Sequence, residues 1–142
     1  MVTQRQKLAP LEIAKLLEHS ARRIYKERGP RSIHPGQWAV LRFLASAKDH
    51  QKDLNGVAAH LGITPAPASR ALAALEEKGL VIGEVRADDR RKRQMTLSPE
   101  GQSILENDPM LRLEKIIEAL PEEHQNTLQS SLQTICEKLE TE

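Results

Sequence analysis

The stretch from Leu61 to Gly101 constrains the fold of this chain more than any other part of the sequence. Gly62 predicts a turn, and Thr64 followed by Pro65 predicts the start of a helix, because proline is favoured at the first helical position. Gly79 predicts the end of that helix, because glycine readily adopts the left-handed conformation that follows a helix. One short, well-delimited helix is therefore expected between two glycine turns.

Two short apolar runs follow this helix and predict a β-hairpin. The first contains Val81, Ile82 and Val85, and the second contains Met95 and Leu97. The segment between them is strongly basic, since five of its eight residues are Arg86, Arg90, Arg91, Lys92 and Arg93. A turn, a helix and a basic hairpin in this order are typical of a helix-turn-helix with a β-wing, an element that binds duplex DNA.

The helix that begins at Pro65 has two different faces when its residues are spaced at about 100°. Ala68, Leu72 and Leu75 lie on one face, which we expect to pack on the preceding helices. Small side chains dominate the other face, and such a face can approach the major groove closely, where alanine contacts thymine methyls and arginine bonds guanine. The alternative is that the small residues reflect only the high helix propensity of alanine. The outer face comprises Ala66, Ser69, Arg70, Ala73, Ala74 and Glu77.

We predict that the start and the outer face of this helix contact DNA. Pro65 and Pro67 have no backbone N–H, so hydrogen bonds to base edges are expected to concentrate on Ser69 and Arg70. The predicted contact set of the helix is Thr64, Pro65, Ala66, Pro67, Ser69, Arg70 and Ala73.

The hairpin predicts a second set of DNA contacts. Its arginines and lysine can meet phosphates or enter a minor groove, and its aspartates can hold the arginines in place. The alternative is an ordinary solvated loop. The predicted wing set is Arg86, Asp89, Arg90, Arg91, Lys92 and Arg93.

Helices are also predicted before this stretch. The first extends from Leu11 to about Arg28 and stops at Gly29-Pro30. The second begins near His34-Pro35 and has an apolar stripe formed by Trp38, Leu41, Leu44 and Ala45, with Val40 and Ala47 at its edge. Asp53 is expected to cap a short third helix.

The C-terminal third predicts helices that start after Ser98, after Asp108 and near Pro121. The last helix has four apolar residues at a/d-like spacing, and burying a leucine side chain contributes roughly 1.5–3 kcal/mol. Such a stripe is expected to find a partner in a second copy of the chain, although packing within one chain is the alternative. The predicted dimerisation set is Ile13, Leu17, Leu128, Leu132, Ile135 and Leu139.

Length, composition and motif content argue against a membrane protein, a metal-binding protein and an enzyme. The length of 142 residues favours a single domain, and the net charge of +1 combines a basic hairpin with an acidic last third. No apolar run approaches the roughly 20 residues of a membrane helix, and the single cysteine suits the cytoplasm. The five histidines lack metal-ligand spacing, and no phosphate loop or nucleophile elbow is present. We therefore expect neither an enzyme, nor a cofactor, nor a metal site.

Several of these segments together resemble the MarR family of bacterial transcription regulators. The family often has arginine at the position of Ala74, where this chain departs from the pattern. The segments that are similar to family motifs are Gln37–Leu41, Leu61–Pro65 followed by Ser69-Arg70, Leu75–Val81, Asp89–Arg91 and Leu97–Gly101.

The resemblance implies a mainly α fold with a small β-hairpin wing (α+β), in which a winged helix-turn-helix is joined to N- and C-terminal helices that form a dimerisation lobe. A single domain would span residues 1–142, with the DNA-binding lobe at 35–101 and the dimerisation lobe at 1–30 and 104–142. It further implies a homodimeric repressor that binds a palindromic operator in double-stranded DNA and is released by a small-molecule effector. Two alternatives remain, a redox-switched regulator that uses Cys136 and a winged-helix protein-interaction module without DNA binding.

Overall fold

The computed structural model describes residues 7–25 and 32–141. The chain forms two compact units, Met1–Asp108 and Pro109–Glu142. The predicted class, mainly α with a small β-hairpin wing, is confirmed, as is the winged helix-turn-helix. The elements are α1 (Pro10–Ile24), α2 (Pro35–Ser46), a 3₁₀ turn (Asp49–Gln51), α3 (Leu54–Leu61), α4 (Pro65–Glu77), β1 (Val81–Val85), β2 (Arg93–Leu97), α5 (Pro99–Ile104), a second 3₁₀ turn (Leu105–Asn107), α6 (Pro109–Glu118) and α7 (Glu122–Glu140).

The helices begin where the caps and prolines predict. The Asp53 carboxylate accepts a hydrogen bond of 2.8 Å from the Gly56 N–H at the start of α3. Thr64 has the extended N-cap backbone before α4, but its side chain makes no capping bond. The usual donor three residues later is Pro67, which has no N–H.

Two helices are followed by a glycine with positive φ, as predicted. Gly62 after α3 has φ of 63°, and Gly79 after α4 has φ of 73°. The first helix ends earlier than predicted, at Ile24, because Tyr25 leaves the helix and packs against the core instead. The predicted stop at Gly29-Pro30 lies outside the described residues.

The core of the first unit lies where α2, α3 and α4 meet the hairpin. The predicted inner face of α4 is confirmed, since Ala68, Leu72 and Leu75 are buried. In α2 the apolar stripe is shifted, because Val40 is fully buried whereas Ala45 is exposed. The fully buried residues with the largest side chains are Leu41, Leu44, Leu75, Val40 and Val57.

The wing, defined here as residues 81–97, is an antiparallel hairpin with a register from Val81↔Leu97 to Val85↔Arg93. Arg93 thus belongs to β2 and not to the connecting turn, where the sequence had suggested it. The Met95 N–H donates a hydrogen bond of 2.7 Å to the Lys52 carbonyl, which attaches β2 to the segment before α3.

The junction between the wing and α5 is tightly packed. Ser98 Oγ donates to the Gly79 carbonyl at 2.6 Å and accepts from the Gly101 N–H at 3.0 Å. A Cβ atom on Gly101 would collide with the Leu80 carbonyl group. The glycine at position 101 is therefore required by the close approach of two backbone segments.

Arg42 of α2 forms an internal polar link with the end of the first unit. Its guanidinium donates to both carboxylate oxygens of Asp108, at 2.7 and 2.8 Å, and to the Tyr25 hydroxyl at 3.2 Å. The hydrogen bond to Asp108 raises the pKa of Arg42, which stays charged.

The second unit is a pair of helices, α6 and α7, connected by a short turn. The Gln125 side chain closes this turn by donating to the Leu120 carbonyl at 2.9 Å. Neither helix contains a buried residue, and α1 contains none either. Of the predicted dimerisation set, Ile13, Leu17, Ile135 and Leu139 are exposed, while Leu128 and Leu132 are half-buried.

Candidate nucleic-acid interface

The outer face of α4 is open to solvent, as the helical spacing predicted. Pro67 is half-buried, and Ala74, which was expected on this face, is half-buried as well. The exposed members of the predicted set are Thr64, Pro65, Ala66, Ser69, Arg70 and Ala73.

Arg70 is the basic residue on this face. Its side chain has no hydrogen-bond or ion-pair partner within residues 7–25 and 32–141. The neighbouring Ala66 and Ala73 are too small to screen it. A free guanidinium beside small side chains can reach an acceptor on a second molecule, and guanine presents two such acceptors in the major groove.

The tip of the wing presents Arg91 to solvent. The Asp89 carboxylate accepts hydrogen bonds from the Arg91 N–H at 3.0 Å and from Arg91 Nε at 3.3 Å. The Arg91 side chain nevertheless stays 92% exposed. Asp89 therefore orients Arg91 while leaving most of its guanidinium donors available. The neighbouring Arg90 and Lys92 are also exposed.

Arg86 has a different environment from the tip residues. Its guanidinium points into the protein, where it pairs with the Asp53 carboxylate at 3.5 Å and donates to the Asp49 carbonyl at 3.0 Å. The Arg86 side chain is only 9% exposed. The structure thus separates Arg86 from the arginines with which it is clustered in sequence.

Arg93 is also held by the protein. Its guanidinium forms a two-pronged ion pair with Glu76 of α4, with N–O distances of 3.1 and 3.0 Å. The hydrogen bonds that Arg93 donates to Glu76 raise the pKa of Arg93. The wing and α4 are therefore connected by a side-chain bridge.

A groove lies between α4 and the wing and encloses about 310 Å³. Both predicted sets contribute to it, since Ser69 and Ala73 line one side and Arg91 and Lys92 line the other. The remaining lining residues are Asp53, Leu54, Asn55, Leu72, Glu76, Arg93 and Met95. We refer to this feature as the α4–wing groove.

Glu76 and Asp53 were absent from the residues that the sequence suggested for this site. The helical spacing could have found Glu76. Ser69, Ala73 and Glu76 follow one another at intervals of four and three residues and therefore lie on the same face of α4. The pairing of Asp53 with Arg86 could not have been found in this way, because it joins residues that are distant in sequence.

Other kinds of site receive no support from the described part of the chain. It contains no group of three or more His, Cys, Asp or Glu side chains placed to bind a metal ion. None of its helices is both long enough and apolar enough to cross a membrane. Cys136 is exposed on α7.

The chain is similar to known proteins both in sequence pattern and in fold. The family model described as the MarR family matches residues 32–92. A search of curated proteins found no significant match.

Solved structures match over nearly the full length. S. aureus MepR in complex with DNA superimposes with a TM-score of 0.76 at 20% identity, covering 93% of this chain and 99% of that one. The PcaV transcriptional regulator from Streptomyces coelicolor gives a TM-score of 0.74 at 17% identity, with coverages of 95% and 100%. The same regulator in complex with its natural ligand gives 0.71 at 16% identity, with coverages of 96% and 98%. Residues 32–92 thus match the MarR family model, and the chain shares the winged-helix fold of these solved structures.

Proposed function

We propose that this protein regulates transcription by binding double-stranded DNA through α4 and the wing. The observation that supports this most directly is the exposed guanidinium of Arg70, which has no partner among the described residues and lies on a face of small side chains. An outer face of this shape suits the major groove, and the free arginine suits a guanine within it. The protein is proposed to act in the cytoplasm by binding and not by catalysis.

The wing tip supplies the second proposed contact. Arg91 is oriented by Asp89 and almost fully exposed, with Arg90 and Lys92 beside it. Positive charges at a hairpin tip are attracted to the negative potential of a minor groove and to phosphates. Arg86 and Arg93 are left out of this contact set, because Asp53 and Glu76 already engage them.

We further propose that the protein works as a homodimer within a single MarR-like domain that spans the whole chain. Residues 1–30 and 104–142 would form the dimerisation lobe, and residues 35–101 the DNA-binding lobe. In support, α1 has exposed apolar side chains at Leu11, Ile13 and Leu16, and α7 has them at Ile135 and Leu139. Water contact at so many large apolar side chains is unfavourable, and a second copy would remove it.

A two-fold dimer implies a palindromic operator and a way of regulating it. Two recognition helices must lie about 34–36 Å apart to enter successive major grooves on one side of DNA. A small molecule that changes this separation would release the DNA, so we propose that the protein is a repressor with a small-molecule effector. Two structural relatives support an effector of this kind, since PcaV has been solved with its natural ligand and MepR with ethidium bromide.

The proposal is tested by selecting duplexes from random-sequence DNA with the purified full-length protein and measuring their affinity by fluorescence anisotropy. We expect recovery of sequences with two-fold symmetry, bound with a Kd of about 10⁻⁸ M or tighter, and much weaker binding to random duplex. Absence of any preferred duplex at low salt would contradict the proposal and favour the protein-interaction module.

Arg70 provides a sharper test of base contact. We expect Arg70→Ala to reduce the binding free energy for the selected duplex by about 1–3 kcal/mol and to relax the preference at one base pair of each half-site. Repeating the selection with the variant measures both effects. Equal weakening for all sequences would mean that Arg70 contacts a phosphate instead of a base.

A further inference from the structure

We propose that the ion pair between Glu76 and Arg93 is a clamp that sets the position of the wing relative to α4. Glu76 and Arg93 are then positioning residues for DNA binding, and Arg93 does not itself contact DNA. This inference rests on the proposed function for its consequences in DNA binding, but the clamp itself is a property of the free protein.

The geometry of the pair is that of a fixed bridge. Arg93 Nη1 donates to Glu76 Oε1 at 3.1 Å, and Nη2 donates to Oε2 at 3.0 Å. Two parallel hydrogen bonds between a guanidinium and a carboxylate restrict both partners in angle as well as in distance. The bridge connects the last turn of α4 to the first residue of β2.

The hairpin is shaped to leave room for the Arg93 side chain. Arg93 Nη2 also donates to the Gly83 carbonyl of β1 at 3.3 Å. A Cβ atom on Gly83 would collide with the guanidinium of Arg93. The glycine in the middle of β1 therefore lets the arginine cross the neighbouring strand and reach α4.

A phosphate contact by Arg93 would have to compete with these interactions. Both terminal nitrogens of the guanidinium already donate to Glu76, and the carboxylate would repel a phosphate that approached the same place. The Arg93 side chain is 52% exposed, and its hydrogen bonds to Glu76 raise the pKa of its guanidinium. The tip residue Arg91 differs, because its partner Asp89 leaves its side chain 92% exposed.

A second attachment fixes the opposite side of the wing base. Arg86, next to the end of β1, pairs with Asp53, whose carboxylate also caps α3. The wing is thereby tied to the start of α3 through Arg86 and to the end of α4 through Arg93. The tip beyond these two attachments lines the α4–wing groove with Arg91 and Lys92.

The clamp is tested with variants that conserve the net charge, so that general attraction to DNA stays constant. Arg93→Lys retains the charge but cannot form the two-pronged bridge. We expect it to weaken binding of the selected duplex at least about fivefold, with an unchanged slope of the logarithm of the observed binding constant against the logarithm of the salt concentration. The swap Glu76→Arg with Arg93→Glu is expected to restore affinity to within about threefold of the parent protein.

The outcomes separate the clamp from a direct contact. A lysine can replace an arginine that contacts phosphate as a point charge, so wild-type affinity in Arg93→Lys would overturn the proposal. The same holds for a swap variant that binds no better than Arg93→Lys, which has the same net charge. Arg112→Lys is the control for DNA binding, since Arg112 is exposed on α6 outside both proposed contact sets, and it should change neither affinity nor slope appreciably. Arg90→Lys, on the same hairpin as Arg93 and with an exposed side chain, is the control for measurements without DNA.

A measurement without DNA keeps the clamp testable by itself. Amide hydrogen exchange of the wing peptide is expected to be at least about threefold faster in Arg93→Lys than in the parent, with no change in Arg90→Lys. Faster exchange in a protein that binds no duplex would reject the proposed function and retain the clamp. Unchanged exchange in Arg93→Lys would reject the clamp even if the parent protein binds DNA.

Discussion

Replacing Ile135 with glutamate is expected to convert the proposed dimer into monomers and to lower DNA affinity by about 100-fold or more. The Ile135 side chain is 41% exposed, so a charge there should cost the single protomer little. In a symmetric interface the same change places two carboxylates in an apolar contact, and like charges brought together cost several kcal/mol. Loss of the second half-site contact removes an avidity gain of about 10²–10⁴.

Sedimentation equilibrium and anisotropy on the selected duplex measure the two effects. The control is Gln133→Glu, which adds the same charge to α7 about 200° around the helix from Ile135. This variant should remain dimeric and bind DNA normally. A dimeric Ile135→Glu protein would show that this part of α7 lies outside the interface.

Replacing Gly101 with alanine is expected to reduce the free energy of unfolding by about 2 kcal/mol, within the range for overpacking a rigid site. The added methyl group would collide with the Leu80 carbonyl, and the nearest atoms are all backbone, which cannot rotate away. The shift would also disturb the bonds through which Ser98 joins Gly79 and Gly101. Urea denaturation followed by circular dichroism measures the change.

Gly36→Ala in α2 is the matched control for this substitution. A Cβ atom at Gly36 meets no other atom within 4 Å. Alanine has the higher helix propensity, so the variant should be unchanged or more stable by up to about 1 kcal/mol. Equal stabilities for the two variants would mean that the backbone at position 101 relaxes freely and that the close approach to Leu80 is not limiting.

The local signals in the sequence predicted the winged helix-turn-helix closely. Thr64-Pro65 marks the start of α4, Gly79 marks its end, and the two apolar runs form the paired strands. Helical spacing also placed Ala68 and Leu72 inside and Arg70 outside. These features depend on backbone preferences and on periodicity, which are properties of neighbouring residues.

Prediction from local sequence failed where contacts between residues distant in the chain decide the structure. Tyr25 fits the helical spacing of α1, but its contact with the core and with Arg42 ends the helix at Ile24. Ala74 is half-buried, whereas helical spacing predicts an exposed position on the outer face of α4. Its burial therefore depends on the elements that pack around the helix.

The basic hairpin shows most clearly which features follow from the local sequence and which depend on the tertiary structure. The sequence by itself determined that a wing exists, which two apolar runs form its strands and that it is rich in positive charge, whereas the strand register came from the structure. Only the tertiary structure decided which charges are available, because Asp53 binds Arg86 and Glu76 binds Arg93, whereas Asp89 leaves Arg91 exposed. The physical reason is that hairpin and helix formation follow from local conformational preference, while the partner of a long flexible cation depends on which carboxylate the fold brings within reach.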